Sequence, residues 1–226
     1  AFGDSLDNTG LVSTYHIVLI KFLKNNEHHK WLKIALALNK IGKAELDEHR
    51  SFVYKLVDDF LETYYCQALY GLSSMLNRSL FSRSAVKNAF RYLLNVDIHP
   101  VIAKRLVKSA PRSSQNPDPN ILLTGGTMNI LGQPLGVGQG MNPTCQSARG
   151  ISLWSDHAPA KLINMIISIA ESNNLEMRFE GKVIRSIDVI EGLTQEFDYK
   201  LDPLSVVVVP HLDKIYNEMM KRASMR

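Results

Sequence analysis

Apolar residues recur every three or four positions through most of the first half of the chain. Between residues 14 and 24, Tyr15, Val18, Leu19, Phe22 and Leu23 fall at helical spacing, and Asn25 and Asn26 end the run. Residues 29–41 repeat the pattern with Trp31, Ile34, Ala35 and Leu38, and Gly42 stands where a helix C-terminus favours a left-handed residue. A long periodic stretch, 43–77, carries Leu46, Val53, Leu56, Val57, Phe60, Tyr64, Leu69 and Leu72 on a broad apolar face, which Gly71 ends or bends. Ser82 or Ser84 caps a further helix through 94, and Pro100 suits the first turn of another that ends near 109. Residues 1–110 are thus predicted to be a helical array.

The pattern breaks at 111–120, where three prolines stand among Ser, Asn and Asp, and a linker is expected there. Beyond it, 121–123 and 128–131 read as short strands, and six glycines fall between Gly125 and Gly140. Helical spacing resumes over 143–154 and 159–171. Residues 175–190 alternate Val, Ile and Phe with polar residues, and 205–209 is a β-branched run too short for a helix; both read as strands. A terminal amphipathic helix, 211–225, follows. The fold class expected is α+β: a helical domain over 1–110, the linker, and a smaller α+β domain over 121–226.

At 226 residues with 45% hydrophobic and 21% charged positions, the chain has the composition of a globular protein able to bury a core without disulfides or metals. Cys66 and Cys145 are far apart and have no His or Cys at zinc-ligand spacing, so neither metal nor cofactor is expected and a reducing compartment is the default. No window is apolar enough for a transmembrane segment. Ala1 rather than Met opens the chain, which implies an excised or processed piece, and a cytoplasmic location is the default expectation.

Chemistry concentrates around Cys145. Asn142 and Pro143 form a favourable N-cap and first helical position, which puts Cys145 in the first turn. Unpaired N–H groups and the helix dipole favour an anion there, and the thiolate is the nucleophilic form of cysteine. Gln139 lies six residues earlier, and glycines at 136, 138 and 140 let the backbone bring its amide beside the sulfur, where it could help hold an oxyanion. A Gln six positions before a Cys that opens a helix resembles the papain-like cysteine peptidases and related thiol acyltransferases. The resemblance covers about 20 residues. It implies Cys145 as nucleophile, Gln139 as oxyanion donor, and a peptide or protein substrate. The residue after the nucleophile, often aromatic in that family, is Gln146 here.

The resemblance also calls for a histidine. His157 would lie about 18 Å along a continuous helix from Cys145. His211 follows the expected strand 205–209 and has Asp213 two residues on as an orienting carboxylate, which makes the pair the catalytic candidates beside a base from beyond Arg226. The plainer reading makes Cys145 a small buried hydrophobe and the glycines tight turns. Cys66, among Tyr64, Tyr65 and Leu69, reads as core. The glycine loop lacks the lysine of a phosphate-binding loop and the dinucleotide-binding spacing.

Charge adds a second possibility, a non-enzymatic interaction module. Eight Lys or Arg face a single acid, Asp97, between Arg78 and Arg112. Arg83, Lys87 and Arg91 make one basic stripe, with Phe81, Phe90 and Tyr92 interleaved, so a protein or anionic partner, nucleic acid included, would engage the 78–112 region. Asp58, Asp59 and Glu62 read as a solvated acidic face.

Overall fold

In the computed structural model, residues 1–111, 114–138, 140, 142–194 and 200–224 are described. They are mostly helical, with twelve α-helices and one β-hairpin among them. The first eight helices are α1 (Phe2–Thr9), α2 (Thr14–Asn25), α3 (His29–Ala35), α4 (Lys40–Glu48), α5 (Arg50–Phe60), α6 (Gln67–Asn77), α7 (Ser84–Leu93) and α8 (Pro100–Ser109). After these come α9 (Pro119–Gly132), a 3-10 turn (Pro134–Gly136), α10 (Cys145–His157), α11 (Pro159–Ser172), β1 (Glu176–Phe179), β2 (Lys182–Arg185) and α12 (Pro203–Ser224).

Three of the four expected strand segments are helical. Residues 121–123 and 128–131 both belong to α9, which is buried from Leu122 to Gly132 and therefore shows no amphipathic period. Its start is well specified: Pro119 occupies the first turn, and the Asp118 carboxylate accepts from the Asn120 N–H at 2.7 Å. Residues 205–209 likewise lie in α12, where Val206 to Val209 are all buried. Burial on every side, rather than strand pairing, accounts for that β-branched run. Pro210 sits inside α12 and leaves the Val206 carbonyl without its usual helical donor.

The earlier periodic stretch 43–77 is broken into α4, α5 and α6, with Gly71 inside α6. Gly42, expected as a C-cap, instead lies in the first turn of α4, where its N–H is bonded to the Asn39 side chain at 2.8 Å. Gly71 is required by packing. A Cβ there would stand 2.4 Å from the Met128 carbonyl, and one at Gly132 would stand 2.6 Å from the Gly71 Cα, so α6 and α9 cross in backbone contact. That crossing carries α9 into the N-terminal helices. One hydrophobic cluster accordingly joins Ile17, Phe52 and Leu72 to Leu123, Ile166 and Val207 across the 111–120 segment.

The 175–190 region does contain strands. β1 and β2 pair antiparallel, Glu176 opposite Arg185 and Phe179 opposite Lys182, around Glu180 and Gly181, both of positive φ. This is the two-residue turn geometry whose twist suits a hairpin.

Candidate functional site

Cys145 is the first residue of α10 and is exposed. The helix starts two residues later than Asn142–Pro143 suggested. Those residues form a turn in which the Asn142 carbonyl accepts from the Thr144 N–H at 2.8 Å, and Thr144 takes the N-cap position. Thr144 makes no capping bond; its hydroxyl is buried and without a hydrogen-bond partner among the described residues. Cys66, by contrast, is half-buried, and burial pushes its thiol up while its Sγ donates to the Thr63 carbonyl.

Three contacts fix α10. The Ser155 hydroxyl donates to the Ile130 carbonyl at 2.7 Å, Arg78 pairs with Asp156 at 2.8 Å, and Gly150 packs so closely on Tyr216 that a Cβ would stand 2.6 Å from the phenol oxygen. The glycine loop before it is fastened to the start of α12. Asp202 caps that helix, accepting from the Leu204 and Ser205 N–H groups at 3.0 and 2.9 Å, and also takes a bond from the Gly138 N–H. Burial pushes the Asp202 carboxyl above the usual carboxylate range, against the pull of these bonds. Gly140, with φ +64, supplies a left-handed position in the loop. Gln139 lies outside the described residues.

Behind the loop is a buried polar group that the sequence did not single out. Tyr65 lies over Gly125 with its hydroxyl near the Asn129 amide, yet neither the Tyr65 hydroxyl nor Asn129 Oδ1 has a hydrogen bond among the described residues. Burial, followed by the Asp202 charge, pushes the Tyr65 phenol up. Asn129 also lines an open cleft of about 710 Å³ with Gln67, Tyr70, Gln133 and Gly136, bordered by the 3-10 turn.

His211 is on α12 rather than after a strand, and both of its ring nitrogens are engaged. Nδ1 is 2.8 Å from the Ser186 hydroxyl, and an Arg105 guanidinium nitrogen is 3.4 Å from Nε2. The network fixes the tautomer. Arg105 can only donate, so Nε2 accepts; Nδ1–H then donates to Ser186, which also accepts from the Leu175 N–H and donates to Asn174. Burial, then the charges of Arg105 and Lys214, lower its pKa to about 3.

His211 and Asp213 do share a pocket, a cavity of about 220 Å³ that Arg105, Ser186, Thr194 and Lys214 also line. They are not brought together as a hydrogen-bonded pair, because Asp213 Oδ2 accepts from both the N–H and the hydroxyl of Thr194, at 2.8 and 2.9 Å. Cys145 is not among the residues that line this pocket. His157, 73% exposed, ends α10 beside Asp156.

The basic stripe is partly tied into the fold. Lys87 approaches His49 Nδ1 at 3.1 Å, and Arg91 lies over the Phe52 ring. Phe81 and Phe90 are buried with Phe52 in an edge-to-face cluster, centroids 5.2 to 6.5 Å apart, so neither offers a face for a base, whereas Tyr92 is exposed with its hydroxyl donating to Glu171. Asp58, Asp59 and Glu62 pair with Lys24, Lys55 and Lys21. Among the described residues no helix is long and apolar enough to cross a membrane, and no group of three or more His, Cys, Asp or Glu could hold a metal ion. No protein-family model, curated protein or solved structure matches the chain.

Proposed function

We propose that the chain is a thiol-dependent hydrolase or acyltransferase in which Cys145 attacks a peptide or protein carbonyl. The observation that carries this reading is the exposed thiol at the first position of a 13-residue helix, directly after a glycine loop held to Asp202. In the proposed step, Sγ bonds to the carbonyl carbon while the Cys145 N–H and the Gln139 amide stabilise the oxyanion. The carbon–nitrogen bond then breaks, the thiol proton ends on the departing amine, and water or a second amine releases the acyl group. His211 is given no proton-transfer role, since its acceptor nitrogen faces Arg105.

The test is acylation by an activated aryl ester, followed by intact-mass and peptide mapping, in a Cys66→Ser background. The expected result is a single acyl adduct on Cys145 that forms at least tenfold faster than on glutathione at the same pH and disappears in Cys145→Ala. Acylation no faster than glutathione, or an unchanged rate in Cys145→Ala, overturns the proposal.

A further inference from the structure

The cavity beside His211 draws its walls from segments far apart in the chain. Arg105 reaches it from α8, Ser186 and Ile187 from just after β2, and Pro210 and Lys214 from α12. Its volume is about 220 Å³. A water takes up about 30 Å³ of liquid volume, so the space suits one small organic molecule better than a single ordered water.

Charge selects what enters it. Arg105 brings a guanidinium with five N–H donors, one of them toward His211 Nε2, and Lys214 brings an ammonium that makes no ion pair among the described residues. Both cations act on the same ring, since after burial it is their charges that lower the His211 pKa to about 3 and keep the imidazole neutral. The carboxylate in the wall, Asp213, is committed to the segment that follows β2. Its Oδ2 accepts from the N–H and hydroxyl of Thr194 at 2.8 and 2.9 Å, and a Cβ at Gly192 would stand 2.2 Å from it.

The surroundings strengthen the positive field. Helix α8 holds no acidic residue and carries Lys104 and Lys108 besides Arg105, the end of the basic stretch that begins at Arg78. A cleft of one sign with low-dielectric walls concentrates that field on a small counter-ion. Ile187 and Pro210 make part of the wall apolar, so the space accepts a body as well as a charged head.

We infer that this cavity is a binding site for a small organic anion, a carboxylate or a phosphate ester, whose head lies between Arg105 and Lys214 and whose body lies against Ile187 and Pro210. The test is calorimetric titration of the intact chain at pH 7 and constant ionic strength with benzoate and with phenyl phosphate, and with benzyl alcohol as the neutral counterpart. Expected is one-to-one binding of at least one anion with a Kd of about 1 mM or tighter, and no binding of the alcohol. The anion that binds tells a carboxylate ligand from a phosphate ester. Lys214→Met keeps the apolar stem and should weaken binding at least tenfold, whereas Lys43→Met, at an exposed position of α4, should leave it unchanged; thermal melts confirm that both variants fold. No saturation by either anion up to about 10 mM overturns the inference, as does benzyl alcohol binding as tightly or an unchanged Kd in Lys214→Met.

Discussion

Lowering the pH from 7 to 5 asks the fold to accommodate a proton it has no place for. His211 is 6% exposed and lies between Ser186 and the Arg105 guanidinium, with Lys214 near, and its pKa falls from the ordinary 6.5 to about 3. Because the folded value lies below the unfolded one, the unfolded chain binds the extra proton across the window between them. Stability from this group is therefore complete above about pH 6.5 and is lost as the pH falls toward 3. At pH 5 the loss relative to pH 7 comes to ~2 kcal/mol, and at pH 4 to ~3 kcal/mol. Urea unfolding at pH 7 and 5, at fixed ionic strength, reads this out when His211→Asn is run beside the unsubstituted chain. Asn keeps a donor for Ser186 but does not titrate, so the difference between the two pH responses isolates His211 from the carboxylates. The expected difference is ~2 kcal/mol, the variant losing less. Equal responses would refute the burial and charge argument.

Two other substitutions test the packing around the candidate site. Gly71→Ala drives a methyl group into the Met128 carbonyl and the Asn129 N–H, and should cost at least ~2 kcal/mol in denaturant unfolding; a cost below ~0.5 kcal/mol would mean that α6 and α9 do not cross so closely. Tyr65→Phe removes a buried hydroxyl that has no hydrogen-bond partner among the described residues, so the variant should melt higher, by the equivalent of ~1 kcal/mol. A clear loss of stability would instead show that the hydroxyl is bonded.

Elements with one dry and one wet side were legible from periodicity, and those buried all round were not. The amphipathic helix α7 announces itself, whereas α9 and the first half of α12 are buried and carry apolar or small residues on nearly every face. In α2 the periodic set Tyr15, Val18 and Phe22 is exposed, and His16, Ile17, Ile20 and Leu23 are the buried side. A different signal was available. Four of the helices open with proline in the first turn: Pro100, Pro119, Pro159 and Pro203. In α9 and α12 that proline follows an aspartate, Asp118 and Asp202, whose carboxylate accepts from the first N–H groups. A capped proline start outweighs the strand preference of a valine run once the segment is fully buried, because packing, not propensity, supplies most of a helix's stability.

That Cys145 opens a helix was legible because the determinants are local, glycines before it and a helix after it, although Asn142 and Pro143, read as N-cap and first helical residue, form a turn and the helix starts two residues later. Ionisation partners are not local in this sense. His211 stands two residues from Asp213 in sequence, yet its ring answers to Ser186 and Arg105, 25 and 106 positions away, while Asp213 answers to Thr194. Both residues lie on one helix, and neighbours two apart on a helix point about 200° from each other, so a dyad at that spacing depended on the strand reading of 205–209. Once that segment is helical, the geometry that paired them is gone. The same change gives Asp202 its importance: as the cap of α12 that also holds Gly138, it couples the start of a central helix to the loop before Cys145.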